Sequence, residues 1–238
     1  PDSRGDAANQ TITTLTTDKD GLNAEVTSYQ VFTNRVFDGR HNVMNQMVET
    51  YQEEGGLLLD VQEIRSDGFK PSGVATNQTI VTYTDTAKTT VVDAKEVVNN
   101  LVKSSGAIVD SEVTIYKTAT IDPSGEIVLA ETDKTEHQVI HTSEFDSRNN
   151  SKDQTISKEY FRLKEGVVIV SSSDTQHITN TAFDIHDRSS ETFIYNYDGL
   201  EVLQAKFVDA QQIKYQLYDK WGNAVDQTVD TYDNISMP

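Results

Sequence analysis

The chain has 238 residues, a formal net charge of −18 from 20 Lys and Arg against 38 Asp and Glu, and no cysteine. The acidic field repels phosphate backbones and anionic lipid heads, which argues against nucleic-acid partners, and the lack of Cys excludes disulfides, thiolate zinc sites and Cys nucleophiles. No apolar run approaches the roughly 20 residues a membrane helix requires, so membrane insertion is not expected.

Residue 1 is Pro rather than Met, and no charged segment followed by an apolar one opens the chain. These features read as a processed chain or an excised piece. Thr and Val number 28 and 24 against only 11 Leu. Branching at Cβ stiffens the side chain and suits a pleated strand better than a helix, so the fold class is predicted to be all-β. Apolar residues reach only 36%, below the usual range of about 45–50%. An elongated β-structure accommodates that shortage because it buries less surface per residue than a sphere does.

Taken in chain order, one pattern recurs. It opens as Asp2-Ser3-Arg4-Gly5-Asp6 with Gln10-Thr11-Ile12-Thr13-Thr14-Leu15 behind it. It returns as Phe37-Asp38-Gly39-Arg40-His41-Asn42 with Gln46-Met47-Val48-Glu49-Thr50-Tyr51, and as Pro71-Ser72-Gly73 with Gln78-Thr79-Ile80-Val81-Thr82-Tyr83. In this third copy three extra residues separate Asp67 from Gln78. Glu112-Val113-Thr114-Ile115-Tyr116 is a degenerate copy with Glu in the Gln slot. Phe145-Asp146-Ser147-Arg148-Asn149-Asn150 then precedes Gln154-Thr155-Ile156, and Phe183-Asp184 precedes a second degenerate copy, Glu191-Thr192-Phe193-Ile194-Tyr195. The last is Tyr218-Asp219-Lys220-Trp221-Gly222-Asn223 with Gln227-Thr228-Val229.

The anchors Gln10, Gln46, Gln78, Glu112, Gln154, Glu191 and Gln227 lie 36, 32, 34, 42, 37 and 36 residues apart. Asp-x-x-Gly/Asn is turn chemistry, because Asp bonds nearby backbone and Gly or Asn accepts positive φ. Gln-Thr-Ile-x-Thr alternates as a strand does. Further turns at Asp18-Lys19-Asp20-Gly21, Glu53-Glu54-Gly55-Gly56 and Asp198-Gly199 lead to more strands, read over 57–64, 200–208 and 212–218. The prediction is one array over 1–238, an elongated antiparallel β-meander of about seven degenerate 36-residue units, weakest over 86–120. Two segments carry helical spacing. For 43–51 the repeat alignment favours a strand, whereas Val97, Val98, Leu101 and Val102 predict a short helix near 94–103.

The motif Tyr-Asp-x-x-Gly-Asn at 218–223, the closing Thr231-Tyr232-Asp233, and Phe-Asp-x-Arg-x-Asn at 37–42 and 145–150 resemble YD repeats, the tandem units of RHS-type bacterial surface and toxin-shell proteins. The resemblance implies β-hairpins that follow one another in a strip or shell, as part of a secreted or cell-surface scaffold.

Candidate sites are few. Asp18 and Asp20 lie in an oxygen-rich Asp-Lys-Asp-Gly-Leu-Asn-Ala-Glu segment with a Ca²⁺-like cadence, though without a full EF-hand loop. An acidic hairpin turn is the alternative. Arg4-Gly5-Asp6 spells an integrin-type tripeptide but occupies the slot of Gly222-Asn223, which favours turn chemistry. His137 and His141 are spaced as a zinc pair but lack a third ligand nearby, which favours a solvated strand face. Ser171-Ser172-Ser173-Asp174 beside His177 has no nucleophile-elbow spacing. The sequons at Asn9, Asn77, Asn149 and Asn234 arise mostly from the repeat itself.

The leading expectation is a non-enzymatic extracellular structural protein, a bacterial surface stalk, adhesin or filament subunit. It would join copies of itself, or neighbouring repeats of a longer chain, through open end strands. The rival expectation is a carbohydrate- or ligand-binding β module using Tyr195, Tyr197, Tyr218 and Trp221. The Tyr column at Tyr51, Tyr83 and Tyr232 reads instead as packing between units.

Overall fold

A computed structural model describes residues 5–17, 22–219 and 222–234. The all-β expectation holds: among the described residues fifteen strands are joined by turns, and the only helical segments are two single 3-10 turns. Thirteen strands follow one another in a single antiparallel sheet. Those before the insertion are β1 (Asn9–Thr16), β2 (Glu25–Phe37), β3 (Val43–Tyr51), β4 (Leu58–Asp67), β5 (Asn77–Tyr83), β6 (Val91–Val102) and β7 (Ile108–Tyr116). The sheet then skips the small hairpin β8 (Thr120–Ile121) and β9 (Ile127–Val128) and continues with β10 (Lys134–Phe145), β11 (Ser151–Lys164), β12 (Val167–Asn180), β13 (Glu191–Asp198), β14 (Phe207–Tyr218) and β15 (Ala224–Tyr232).

Two sequence expectations are overturned. Residues 94–103 form no helix and lie almost wholly within β6, where Ala94 and Val97 stand opposite Val81 and Gln78 of β5. Helical and strand spacing coincide in so short an apolar run, and cross-strand pairing decides between them. Residues 200–208 form no full strand either: a 3-10 turn at Gln204–Lys206 precedes β14. The segment 43–51, in contrast, is the strand β3 that the repeat implied.

The repeat has a well-defined physical unit. Seven five-residue turns, at 38–42, 70–74, 103–107, 122–126, 146–150, 184–188 and 219–223, share one hydrogen-bond pattern among the described residues. The first N–H donates to the fifth carbonyl and the fourth N–H to the first carbonyl. The fourth position always has positive φ, from 63° at Asp187 to 90° at Gly106, as the type I turn plus bulge of a three-residue hairpin loop requires. Asp38, Asp146 and Asp184 complete the turn by accepting the N–H groups of their third and fifth residues at 2.7–3.0 Å. For Asp38 the Asn42 amide leads in lowering the carboxyl pKa, while for Asp146 and Asp184 such bonds outweigh desolvation.

This pattern corrects the repeat register. Around five of these turns, measured from the first turn residue, the position four before and the position eight after stand directly opposite. The pairs are Asn34 with Gln46, Ser66 with Gln78, Thr142 with Gln154, Asn180 with Thr192 and Tyr215 with Gln227. Asn99 and Ser111 hold the equivalent places around turn 103–107. Glu112 and Glu191 therefore sit one residue off the Gln slot, on the opposite face of the sheet. The third turn begins at Lys70, so no extra residues precede Gln78. In the hairpins before the last the column is polar and internal, with Asn34, Ser66, Asn99, Ser111, Thr142 and Thr192 all buried, whereas the last sets Tyr215 opposite an exposed Gln227. Its pairs are bonded across the hairpin, by Gln46 Nε2 to Asn34 Oδ1 at 2.6 Å, Gln78 Nε2 to Ser66 Oγ at 3.1 Å, and Gln154 Nε2 to Thr142 Oγ1 at 3.0 Å.

By contact the chain divides into two units, one made of Pro1–Val98 with Ile115–Lys134 and the other of Asn99–Thr114 with Thr135–Pro238. In the first, the insertion 117–134 is closed at its base by Lys117 N–H donating to the Asp133 carbonyl. Its Ala119, Ile127 and Leu129 pack against a core of Val61, Val81, Tyr83, Ala94 and Tyr116. Val61 and Val81 are wholly buried, a contribution of about 1.5–3 kcal/mol each. In the second, Ala210 is wholly buried and Tyr197 lies edge-on to Phe207, with ring centroids 5.9 Å apart. The Thr175 hydroxyl, also buried, donates to the Gly199 carbonyl and so ties down the loop after β13.

Candidate functional site

The features best suited to assembly are the free edges of the sheet. Among the described residues, β1 pairs only with β2 and β15 only with β14. An edge strand carries a row of N–H and C=O groups with no strand beside them, and natural sheets blunt such edges with Lys, Pro, inward charges or bulges. β1, Asn-Gln-Thr-Ile-Thr-Thr-Leu-Thr, has no charge and no proline, and every residue in it but Thr16 is exposed. β15 is exposed as well but carries Asp226 and Asp230. Gly5 shares the positive φ of Gly222, +92° against +85°. The neighbouring Asp6 is buried, with its Oδ1 2.6 Å from His41 Nδ1. Arg4, the first residue of the Arg-Gly-Asp tripeptide, lies outside the described residues.

Sequence reasoning missed a charge centre in the first unit. Glu63, 1% exposed, is gripped by Arg35 through two bonds of 2.6 and 2.9 Å, by Lys88 at 2.7 Å and by Arg65 at 3.1 Å. Desolvation alone would raise the Glu63 pKa, but donation from Arg35, Lys88 and Arg65 prevails and holds it down to about 2. Arg35 is bypassed by the β2–β3 register, a bulge that re-aims its side chain. The same turn-relative position is bypassed at Ser143 and Gln216. Arg65 also donates from Nε and Nη2 to the Gly125 carbonyl, so one guanidinium holds both the β8–β9 turn and the carboxylate.

The histidines singled out by the sequence, His137, His141 and His177, each lie beside an acid rather than together. His141 Nδ1 lies 2.6 Å from Asp110 Oδ1, and His177 Nε2 3.1 Å from Asp153 Oδ2. His137 sits 3.1 Å from the Thr114 hydroxyl and 3.7 Å from Glu112 Oε2. Among the described residues no group of three His, Asp or Glu is placed to hold a metal ion. Asp18 and Asp20, the Ca²⁺ candidates, lie outside the described residues. Ser171 donates to the Tyr160 carbonyl, while His177 stacks on Tyr195.

Of the proposed aromatic binders, Trp221 also lies outside the described residues. Tyr195 and Tyr197 are two apart in β13, with Tyr197 only 3% exposed. Tyr218 donates its hydroxyl to the Ser189 carbonyl at 2.6 Å and holds the Arg188 guanidinium over its ring. One cleft of about 600 Å³ adjoins this region, lined among others by Lys158, Tyr160, Asp174, Asn196, Tyr197 and Asp209. Burial and the neighbouring Asp174 push the Tyr160 hydroxyl up to about 12. Comparison with known proteins adds no assignment: no family model matches the chain, and no curated protein matches it significantly.

Proposed function

We propose that this chain is a non-enzymatic extracellular structural repeat protein, a surface stalk, adhesin or filament subunit that assembles through its open end strands. The observation that carries this reading is the uncharged, exposed β1 at a free edge of the sheet. Main-chain hydrogen bonding to such an edge supplies affinity without a dedicated pocket. The resemblance of the Tyr-Asp and Phe-Asp turns to YD repeats supports a bacterial surface setting, and the acidic composition accords with it. Sedimentation across a concentration series, with and without Ca²⁺, tests the proposal. Concentration-dependent association is the expected result, and a strictly monomeric chain at the highest concentration refutes it.

A second reading, a carbohydrate- or ligand-binding module, is favoured by one observation, the cleft beside Tyr160 and Tyr197. Its carboxylates and amides are suited to hydroxyl groups. Retention on a polysaccharide matrix that is lost in Asp209→Ala supports this reading, and passage of the wild-type chain through a panel of such matrices dismisses it.

A further inference from the structure

Each inner hairpin turns after its first strand and lays a second strand back against it, with the polar column at a fixed place in that pair. β1 has every mark of a second strand: a positive-φ glycine in the turn slot before it and Gln10 in the Gln slot. Yet among the described residues its only partner is β2, on the side where second strands meet the following hairpin. The side that in β3, β5 and β11 receives an Asn, Ser or Thr opposite the Gln is the free edge.

We propose that this edge is a docking surface for β1 of a second copy of the chain, in an isologous antiparallel pair centred on Ile12. The inference rests on the assembly reading above and names the edge and the register it uses. Two arguments select this occupant. The first is charge: in a chain of net charge −18, β1 is neutral over all eight residues, whereas two β15 strands would bring Asp226 and Asp230 of each copy together. Like charges facing one another across a strand pair are destabilising.

The second argument is register. A two-fold axis normal to the sheet pairs residues on the same face, so the two positions must differ by an even number. Centring on Ile12 places Gln10 of each copy opposite Thr14 of the other. That recreates twice the Gln-to-hydroxyl bond that Gln154 makes to Thr142 and Gln78 makes to Ser66. Thr11 then faces Thr13, and the two Ile12 side chains, each 39% exposed in the single chain, meet on the axis. Cross-strand Thr pairs and β-branched contacts are the favourable kinds.

The test uses the full chain. Ile12→Lys on β1 and Val229→Lys on β15 are compared with wild type by sedimentation, and circular dichroism confirms that each remains β-folded. Because the chain has no native cysteine, Ile12→Cys and Val229→Cys report directly under mild oxidation. Residues opposed across strands come within reach of a disulfide when their Cβ atoms are about 3.5–4.5 Å apart. The expected results are association at least about tenfold weaker in Ile12→Lys, no change in Val229→Lys, and a covalent dimer from Ile12→Cys alone. If Val229→Lys abolishes association and Ile12→Lys does not, the β1 interface is wrong while the assembly reading stands. An associating wild type whose Ile12→Cys variant yields no covalent dimer overturns the register. A wild type that never associates removes both.

Discussion

Glu63 is the residue on which the first unit's charge balance turns. A carboxylate at 1% exposure survives ionised only because three cations surround it. Removing it strands those cations in a partly desolvated setting, so Glu63→Ala is expected to cost about 3–5 kcal/mol. The pH dependence has a definite direction. The folded-state pKa, about 2, lies below the ordinary value of 4.5. The stabilisation is therefore complete above about pH 4.5 and is lost as pH falls towards 2, by roughly 3 kcal/mol. Chemical denaturation between pH 6 and pH 2.5 should show that loss in the wild type and a shallower decline in Glu63→Gln. Parallel profiles would mean that Glu63 is not the acid-sensitive group. Nothing in the sequence singled this residue out from 38 acids. Its partners Arg35 and Lys88 lie 28 and 25 residues away along the chain, and Arg35 faces it only because a bulge breaks strand alternation.

At the level of elements, the hairpin between β11 and β12 departs from the five-residue turn. Lys164 stands opposite Val167, leaving the two-residue loop Glu165-Gly166 with φ of 52° and 80°. Positive φ at both positions defines a type I′ turn, where Asn-Gly is preferred because Asn tolerates the left-handed region better than Glu does. Glu165→Asn is therefore expected to stabilise the chain by about 0.5–1 kcal/mol, read as a higher denaturation midpoint with unchanged slope. A fall in midpoint would show that the Glu165 side chain contributes something the turn geometry does not require.

Much of the element layout was legible in the chain because its turn residues are chemically constrained. Asp at the first position and Gly, Asn or another positive-φ residue at the fourth recur at 38–42, 146–150 and 219–223 with little variation. The Gln slot was less legible. Ser111 and Thr192 are small polar residues that satisfy the same column, and an adjacent Glu in each case drew the alignment off by one. In β6, Val97, Val98, Leu101 and Val102 follow a helical spacing only because both faces of that strand carry apolar groups. The free edges could be anticipated from the strand pattern, but which of them lacks charge became meaningful only once the sheet order was known.

At the scale of the whole molecule, the proposed assembly would set a neutral edge against a strongly acidic body. Two copies, each at −18, repel one another at distances beyond the contact, and that repulsion is screened over about 10 Å at 0.1 M salt and about 3 Å at 1 M. An interface of backbone hydrogen bonds, threonines and Ile12 contains no ion pair for salt to weaken. Added NaCl should therefore strengthen association, with most of the gain between about 0.02 and 0.5 M. A simple divalent-cation effect would follow the same direction at lower concentration. A bound Ca²⁺ would instead raise the thermal midpoint of the single chain in a way that EDTA reverses, which separates screening from a site at Asp18 and Asp20. Association that weakens as NaCl rises would point to an interface of paired charges, and the neutral β1 edge would then be the wrong surface.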